Sequence, residues 1–170
     1  MSAPVRYGFE GYFEDFSPGD SYRHCRGKTV SELDNVLLTN MVLNTAEAHF
    51  NEHAAQQDPM FRQRIVYGGV TLSMVIGLAA QDTAAHALRE LGMDKIRLFA
   101  PVYHGDTLYA YSEVLATARD ASAEGGIVTF RHSGFNQSDV LVFSGERRAF
   151  IRSRPWPGDD AANHRRQECP

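Results

Sequence analysis

Residues 70–88 constrain the fold of this chain more than any other stretch. Val70, Leu72, Met74, Val75, Ile76, Leu78, Ala79 and Ala80 leave almost no polar face through three helical turns. A helix that is apolar all round is a buried one. Strand-like segments follow at 96–102, 107–118, 127–135 and 141–152, with Ala121-Ser122-Ala123-Glu124-Gly125-Gly126 and Asn136-Gln137-Ser138-Asp139 composed as hairpin loops. In the last segment Leu141, Phe143, Gly145, Ala149 and Ile151 alternate with more polar residues, the pattern of a sheet with one buried face. One buried helix and a run of antiparallel strands have few packing solutions, and a sheet curled around the helix is expected, in an α+β domain. Such a sheet, of five or six strands, leaves edges that a second copy can cover, so a homodimer is expected.

Upstream, Ser17-Pro18-Gly19-Asp20 is a turn sequence and residues 22–30 read as a short strand. Ser31 with Asp34 three positions on forms a helix-capping pair ahead of an apolar run, which predicts a helix over 32–43. Residues 44–64 read as loop and short helix. The chain has 170 residues, enough for one core, and residues 1–155 are expected to form a single domain. Residues 156–170, rich in Pro, Asp, Asn and Arg, read as a loose tail.

Charge and cysteine usage narrow the function classes. A net charge of -4 gives no electrostatic reason to expect nucleic acid as a partner. Cys25 and Cys169 imply neither a disulfide framework nor a metal spacing. Residues 1–16 lack a basic n-region and an apolar h-region and do not read as a signal peptide. No apolar run approaches the ~20 residues of a membrane span, so no membrane partner is expected and the cytoplasm is the expected location.

The chemistry concentrates between 44 and 73. His49 lies five residues after Asn44, and Tyr67-Gly68-Gly69 opens the apolar helix. A neutral imidazole accepts a proton from water while its other nitrogen is held by a partner. The first N–H groups of a helix have no intrahelical partner and point at developing negative charge. Together these are the parts needed to move a proton next to a carbonyl. The glycines equally suit a close approach of helix and sheet. Ser73, one turn inside the helix, either back-bonds to it or touches the substrate. His49 and His53 are spaced i, i+4 without a third ligand, and no metal site is expected.

The spacing resembles the MaoC-like (R)-specific enoyl-CoA hydratases, whose motif reads roughly Gly-Asp-x-Asn-Pro-(Leu/Ile)-His-x-Asp followed by a Val-His-Gly-Met turn. On that pattern His49 matches the motif histidine, Asn44 the motif aspartate, Tyr67-Gly68-Gly69 the turn and Ser73 the serine that follows it. Lys95 to Leu108, with Pro101-Val102 and Gly105-Asp106-Thr107-Leu108, looks like the family's strand, Pro-Val turn and Gly-Asp-Thr-Leu. Asn44-Thr45, with Asp34-Asn35-Val36-Leu37 ahead of it, looks most like the mesaconyl-CoA hydratase (β-methylmalyl-CoA dehydratase) branch.

The resemblance implies a hot-dog fold and reversible hydration of an acyl-CoA or acyl-carrier-protein thioester without a cofactor. It implies that His49 carries the proton, that the Gly68 and Gly69 amides hold the thioester oxygen, and that Asn44, an amide that cannot take a proton, only positions. Glu47, Ala48 and Asn51 depart from the motif. Glu47 is either a surface carboxylate or a second acid. Tyr67 would line the site, and Arg62, Arg64 and Arg97 are either solvated charges or contacts to the coenzyme A phosphates or a substrate carboxylate. Two other readings use the same fold: an acyl-CoA thioesterase, although residues 66–77 contain no carboxylate to activate water, and a non-catalytic acyl-thioester-binding protein.

Overall fold

The structure is a computed structural model that describes residues 5–6, 11–121 and 124–155. The segment expected to be a loose tail, 156–170, lies outside the described residues. Strands β1 (Val5–Arg6), β2 (Ser21–Thr29), β3 (Ala87–Leu98), β4 (Thr107–Arg119), β5 (Gly125–Phe135) and β6 (Leu141–Arg152) form one sheet in the order β1-β2-β4-β5-β6-β3. Every pairing is antiparallel except β1 with β2. Helices α1 (Glu32–Met41), α2 (Glu52–Gln57) and α3 (Gly68–Ala84) complete the described elements, with two single 3-10 turns. Among the described residues no helix is long and apolar enough to cross a membrane.

The sheet curls around α3, which packs against β2, β4, β5 and β6. Close seating depends on Gly134 of β5, where an added Cβ would stand 2.4 Å from a Val75 methyl. Only one face of α3 is buried, through Val70, Thr71, Val75, Ala79, Asp82 and Thr83, while Ser73, Gly77 and Gln81 form an exposed row at i, i+4. The all-round burial expected from its composition is therefore not realised within one chain. The helix also ends at Ala84, and β3 starts at Ala87, well ahead of the strand expected at 96. Ala87, Leu88, Arg89, Glu90 and Leu91 are good helix formers or tolerate helix, but pairing with β6, from Ala87 against Ile151 to Leu98 against Phe143, overrides that preference.

Two local signals, one on each side of α3, are realised as read. The Ser31 hydroxyl accepts from the Asp34 N–H at 3.1 Å, and the Asp34 carboxylate accepts from the Ser31 N–H at 2.8 Å, a complete capping box at the start of α1. The Asn136–Asp139 hairpin closes through the Asp139 N–H on the Asn136 carbonyl.

The interior is divided in two. One apolar cluster gathers Val30, Val70, Val75, Leu108, Ala110 and Phe143; a second gathers Phe16, Tyr22, Val114, Val128, Phe130 and Ile151. Between them a row of buried polar side chains crosses the sheet. Asp82 of α3 meets His24 Nδ1 at 2.6 Å, His24 Nε2 meets Ser112 Oγ at 2.7 Å, and Ser112 Oγ meets His132 Nδ1 at 2.7 Å. Arg147, also buried, continues the row to Glu90. The register makes this row possible, because Ser112 faces His132 across β4 and β5, and β6 carries Gly145 opposite His132.

Candidate active site

His49 ends a 3-10 turn, Glu47–His49, in the connection between α1 and α2. Its Nδ1 lies 3.0 Å from the Ile65 carbonyl oxygen. A carbonyl only accepts, so Nδ1 carries the proton, and the neutral ring has Nε2 as its basic nitrogen. The ring centroid is 5.5 Å from that of Tyr67, the residue that precedes α3.

Gly68 and Gly69 are the first residues of α3. They line the same cavity as His49, about 650 Å³ in volume, together with Phe61, Ile65, Tyr67, Thr71, Leu72, Ile96, Leu98 and Phe99 among others. The Val70 and Thr71 N–H groups bond the Tyr67 carbonyl, at 2.8 and 3.3 Å, so within the first turn it is the Gly68 and Gly69 N–H groups that have no intrahelical acceptor. A Cβ at Gly69 would stand 2.3 Å from the Tyr67 ring, and one at Gly68 would stand 2.3 Å from a Leu98 methyl. At Gly69 the contact is with an aromatic ring packed beside His49, whereas at Gly68 it is with the terminal methyl of an exposed leucine, which can move aside. The lining is mostly apolar and, among the described residues, contains no Asp, Glu, Lys or Arg.

The structure brings His49, Tyr67, Gly68 and Gly69 together and leaves the other expected site residues elsewhere. Asn44 does not line the cavity; its Oδ1 accepts from the Ala46 N–H at 3.0 Å and shapes the loop ahead of His49. Glu47 is exposed and accepts from the Asn51 side chain at 3.0 Å. Ser73 belongs to the exposed row of α3, and Thr71, buried, reaches the cavity instead. Arg64 is engaged by two carboxylates, with Nε on Glu52 at 2.7 Å and Nη2 on Glu32. These hydrogen bonds hold its pKa above the ordinary arginine value and hold both carboxyls below theirs. Nearby, burial and then Arg64 push His104 down. Arg62 is exposed, and Arg97 is exposed on β3 between the cavity-lining Ile96 and Leu98, with Nη1 on the Ile96 carbonyl. Among the described residues no group of three or more His, Cys, Asp or Glu side chains is placed to hold a metal ion.

One buried residue of the site, Asn35, stands in the Asp34-Asn35-Val36-Leu37 run that carries the resemblance but has no role readable from the sequence. Asn35 of α1 is 0% exposed, and its side-chain amide donates to the His49 carbonyl at 2.9 Å and accepts from the Tyr67 N–H at 2.9 Å. The available signal was its poor helix propensity at an interior helical position, which asks for a side-chain partner.

Comparison with known proteins identifies the relatives of this chain. The sequence profile described as mesaconyl-CoA hydratase matches residues 11–153. A mesaconyl-CoA hydratase of Haloarcula marismortui is 34% identical over 152 residues, covering 83% of this chain and 42% of that protein. The chain thus spans about two fifths of the length of this relative. An (R)-specific enoyl-CoA hydratase of Rhodospirillum rubrum is 30% identical over 146 residues, covering 84% of this chain and 93% of that one. In structure, a Mycobacterium tuberculosis protein with a double hotdog fold superposes at a TM-score of 0.78 with 22% identity, over 89% of this chain and 47% of that chain. The fold is accordingly the α+β hot-dog fold, one sheet wrapped on one central helix.

Proposed function

The chain belongs to the mesaconyl-CoA hydratase family, and on that footing we propose that it is a hydro-lyase that reversibly hydrates a 2-enoyl-CoA thioester with a branched or carboxylated acyl group of the mesaconyl type. The observation that carries this reading is the pairing, on one cavity, of a histidine held at Nδ1 by a backbone carbonyl with the first N–H groups of α3. His49 Nε2 takes a proton from water as the oxygen bonds to C3 of the enoyl group, and the π electrons move onto the thioester oxygen as an enolate. The Gly68 and Gly69 N–H groups stabilise that negative charge. The proton then goes to C2, which gives the 3-hydroxyacyl thioester and regenerates neutral His49. The thioester itself acidifies C2, so the reaction calls for no cofactor. Asn44 contributes by shaping the loop that carries His49. Tyr67 and Thr71 bound the acyl group.

The working unit is a homodimer. Two features support this: β3 lies at the edge of the sheet, and the cavity-lining Leu98 and Phe99 at its end are 55% and 57% exposed. A second copy paired there would cover the edge and close the cavity wall. Coenzyme A thioesters are intracellular metabolites, which supports a cytoplasmic location.

The decisive experiment offers the purified protein a panel of enoyl-CoA esters, including mesaconyl-CoA and crotonyl-CoA. Loss of enoyl-thioester absorbance without release of free thiol is the expected result. Thiol release would identify a thioesterase, a reading disfavoured by a cavity lining without a carboxylate among the described residues. Binding without either change would identify an acyl-thioester-binding protein.

A further inference from the structure

We propose that Asn35 is a positioning residue of this active site: its single planar amide sets the distance between the proton-carrying histidine and the N–H groups that receive the thioester oxygen. The inference rests on the hydratase reading of the cavity. Burying an amide without partners is costly, so a fully enclosed asparagine in a helix needs specific acceptors and donors. Asn35 finds them on two different segments. Its Nδ2 donates to the carbonyl of His49 and its Oδ1 accepts from the N–H of Tyr67, each at 2.9 Å. The first segment carries the imidazole, and the second is the residue that caps α3.

Neither bond touches the reacting atoms. Asn35 acts through backbone, fixing the His49 main chain while the Ile65 carbonyl fixes its ring. The outer side of the same region is tied independently, because Arg64 bonds Glu32 at the start of α1 and Glu52 at the start of α2. The His49 turn is also tied to residue 65, through the Ile65 N–H on the Ala48 carbonyl at 3.0 Å, so loss of the Asn35 amide leaves the helices joined and releases the link from the His49 main chain to Tyr67. A misplacement of about 1 Å at a reacting centre costs up to ~10²-fold in rate.

The test uses Asn35→Ala and Asn35→Asp in the full chain, with thermal melting run in parallel so that only folded enzyme is compared. Asn35→Ala is expected to lower kcat roughly 10–100-fold with KM changed less than about threefold. Asn35→Asp adds a signature that a merely structural role would not give. A protonated carboxyl is an isostere of the amide and can still donate to the His49 carbonyl, whereas a carboxylate cannot. Burial raises the pKa of the introduced carboxyl, so the ratio of variant to wild-type kcat is expected to climb as pH falls through it. If Asn35→Ala does not fold, this pH dependence carries the test alone. A lowered melting temperature with unchanged kcat in Asn35→Ala, or a ratio flat with pH in Asn35→Asp, would overturn the proposal. Wild type inert toward every enoyl-CoA would instead remove the hydratase reading, and this inference with it.

Discussion

His132 makes the stability of this protein pH-dependent in a way that can be calculated before it is measured. The side chain is 0% exposed, stacked on Phe130 at 5.6 Å between centroids, and hydrogen-bonded through Nδ1 to Ser112. Burial, then the nearby Arg147 guanidinium and His24, push its pKa from 6.5 down to about 3. A depressed histidine means that the unfolded chain binds the proton first, so stability is fully present above about pH 6.5 and is lost as pH falls toward about 3. Over those 3.5 pH units, at 1.36 kcal/mol for each, the loss amounts to about 5 kcal/mol. That is comparable with the whole stability of many domains.

The informative perturbation is His132→Asn, whose amide can still bond Ser112 but cannot titrate. Loss of the ring will lower stability at pH 8, and that offset is irrelevant to the test. What matters is the gap between wild type and variant, which should shrink by about 1.4 kcal/mol per pH unit below 6.5. Glu14 and Asp34, both held down to about 2, contribute equally in the two proteins and cancel in the difference. Urea unfolding followed by circular dichroism from pH 8 to 3.5, at one fixed protein concentration, gives the two curves. A gap constant to within about 1 kcal/mol from pH 7 to pH 4 would refute the assignment of a buried, neutral His132.

His49→Ala should lower the hydration rate roughly 10²–10⁴-fold with the fold intact, the usual worth of general acid–base catalysis; equal turnover of variant and wild type on every enoyl-CoA would eliminate His49 as proton carrier. Gly69→Ala would push its methyl into the Tyr67 ring, which packs beside His49, and should cost about 1–3 kcal/mol of stability by overpacking, read from urea midpoints. Ser31→Ala removes the side-chain acceptor for the Asp34 N–H and should destabilise by ~1 kcal/mol without altering kcat. Sedimentation at micromolar concentration should return a dimer, and a monomer would contradict the covering of β3 by a second copy.

What the sequence determined by itself is what neighbouring residues decide among themselves. Ser31 and Asp34 cap each other across three positions, Asn136 to Asp139 turn the chain, and Gly68-Gly69 open α3, because each signal is written in backbone hydrogen bonds of short range. The sheet wrapped on one helix was legible for the same reason, since an apolar helix and alternating strands admit few arrangements. The spacing of His49 to the glycine turn also stood in the chain, and the fold joins the two at one cavity. Tertiary structure alone decided the rest. The start of β3 at Ala87 comes from its bonds to β6, which outweigh a local preference for helix. Arg64, read as a possible substrate contact, is taken up by Glu32 and Glu52 from two other elements. Thr71 rather than Ser73 reaches the cavity because only one face of α3 turns inward. His24, Ser112 and His132 look in sequence like any surface polar residues, and Asn35 stands in a recognisable run without a readable role. Their roles appear only when distant segments meet in a dry interior, where an unpaired polar group is costly; Asn35, His24 and Ser112 find partners there, while His132 bonds through Nδ1 and leaves Nε2 buried without one among the described residues.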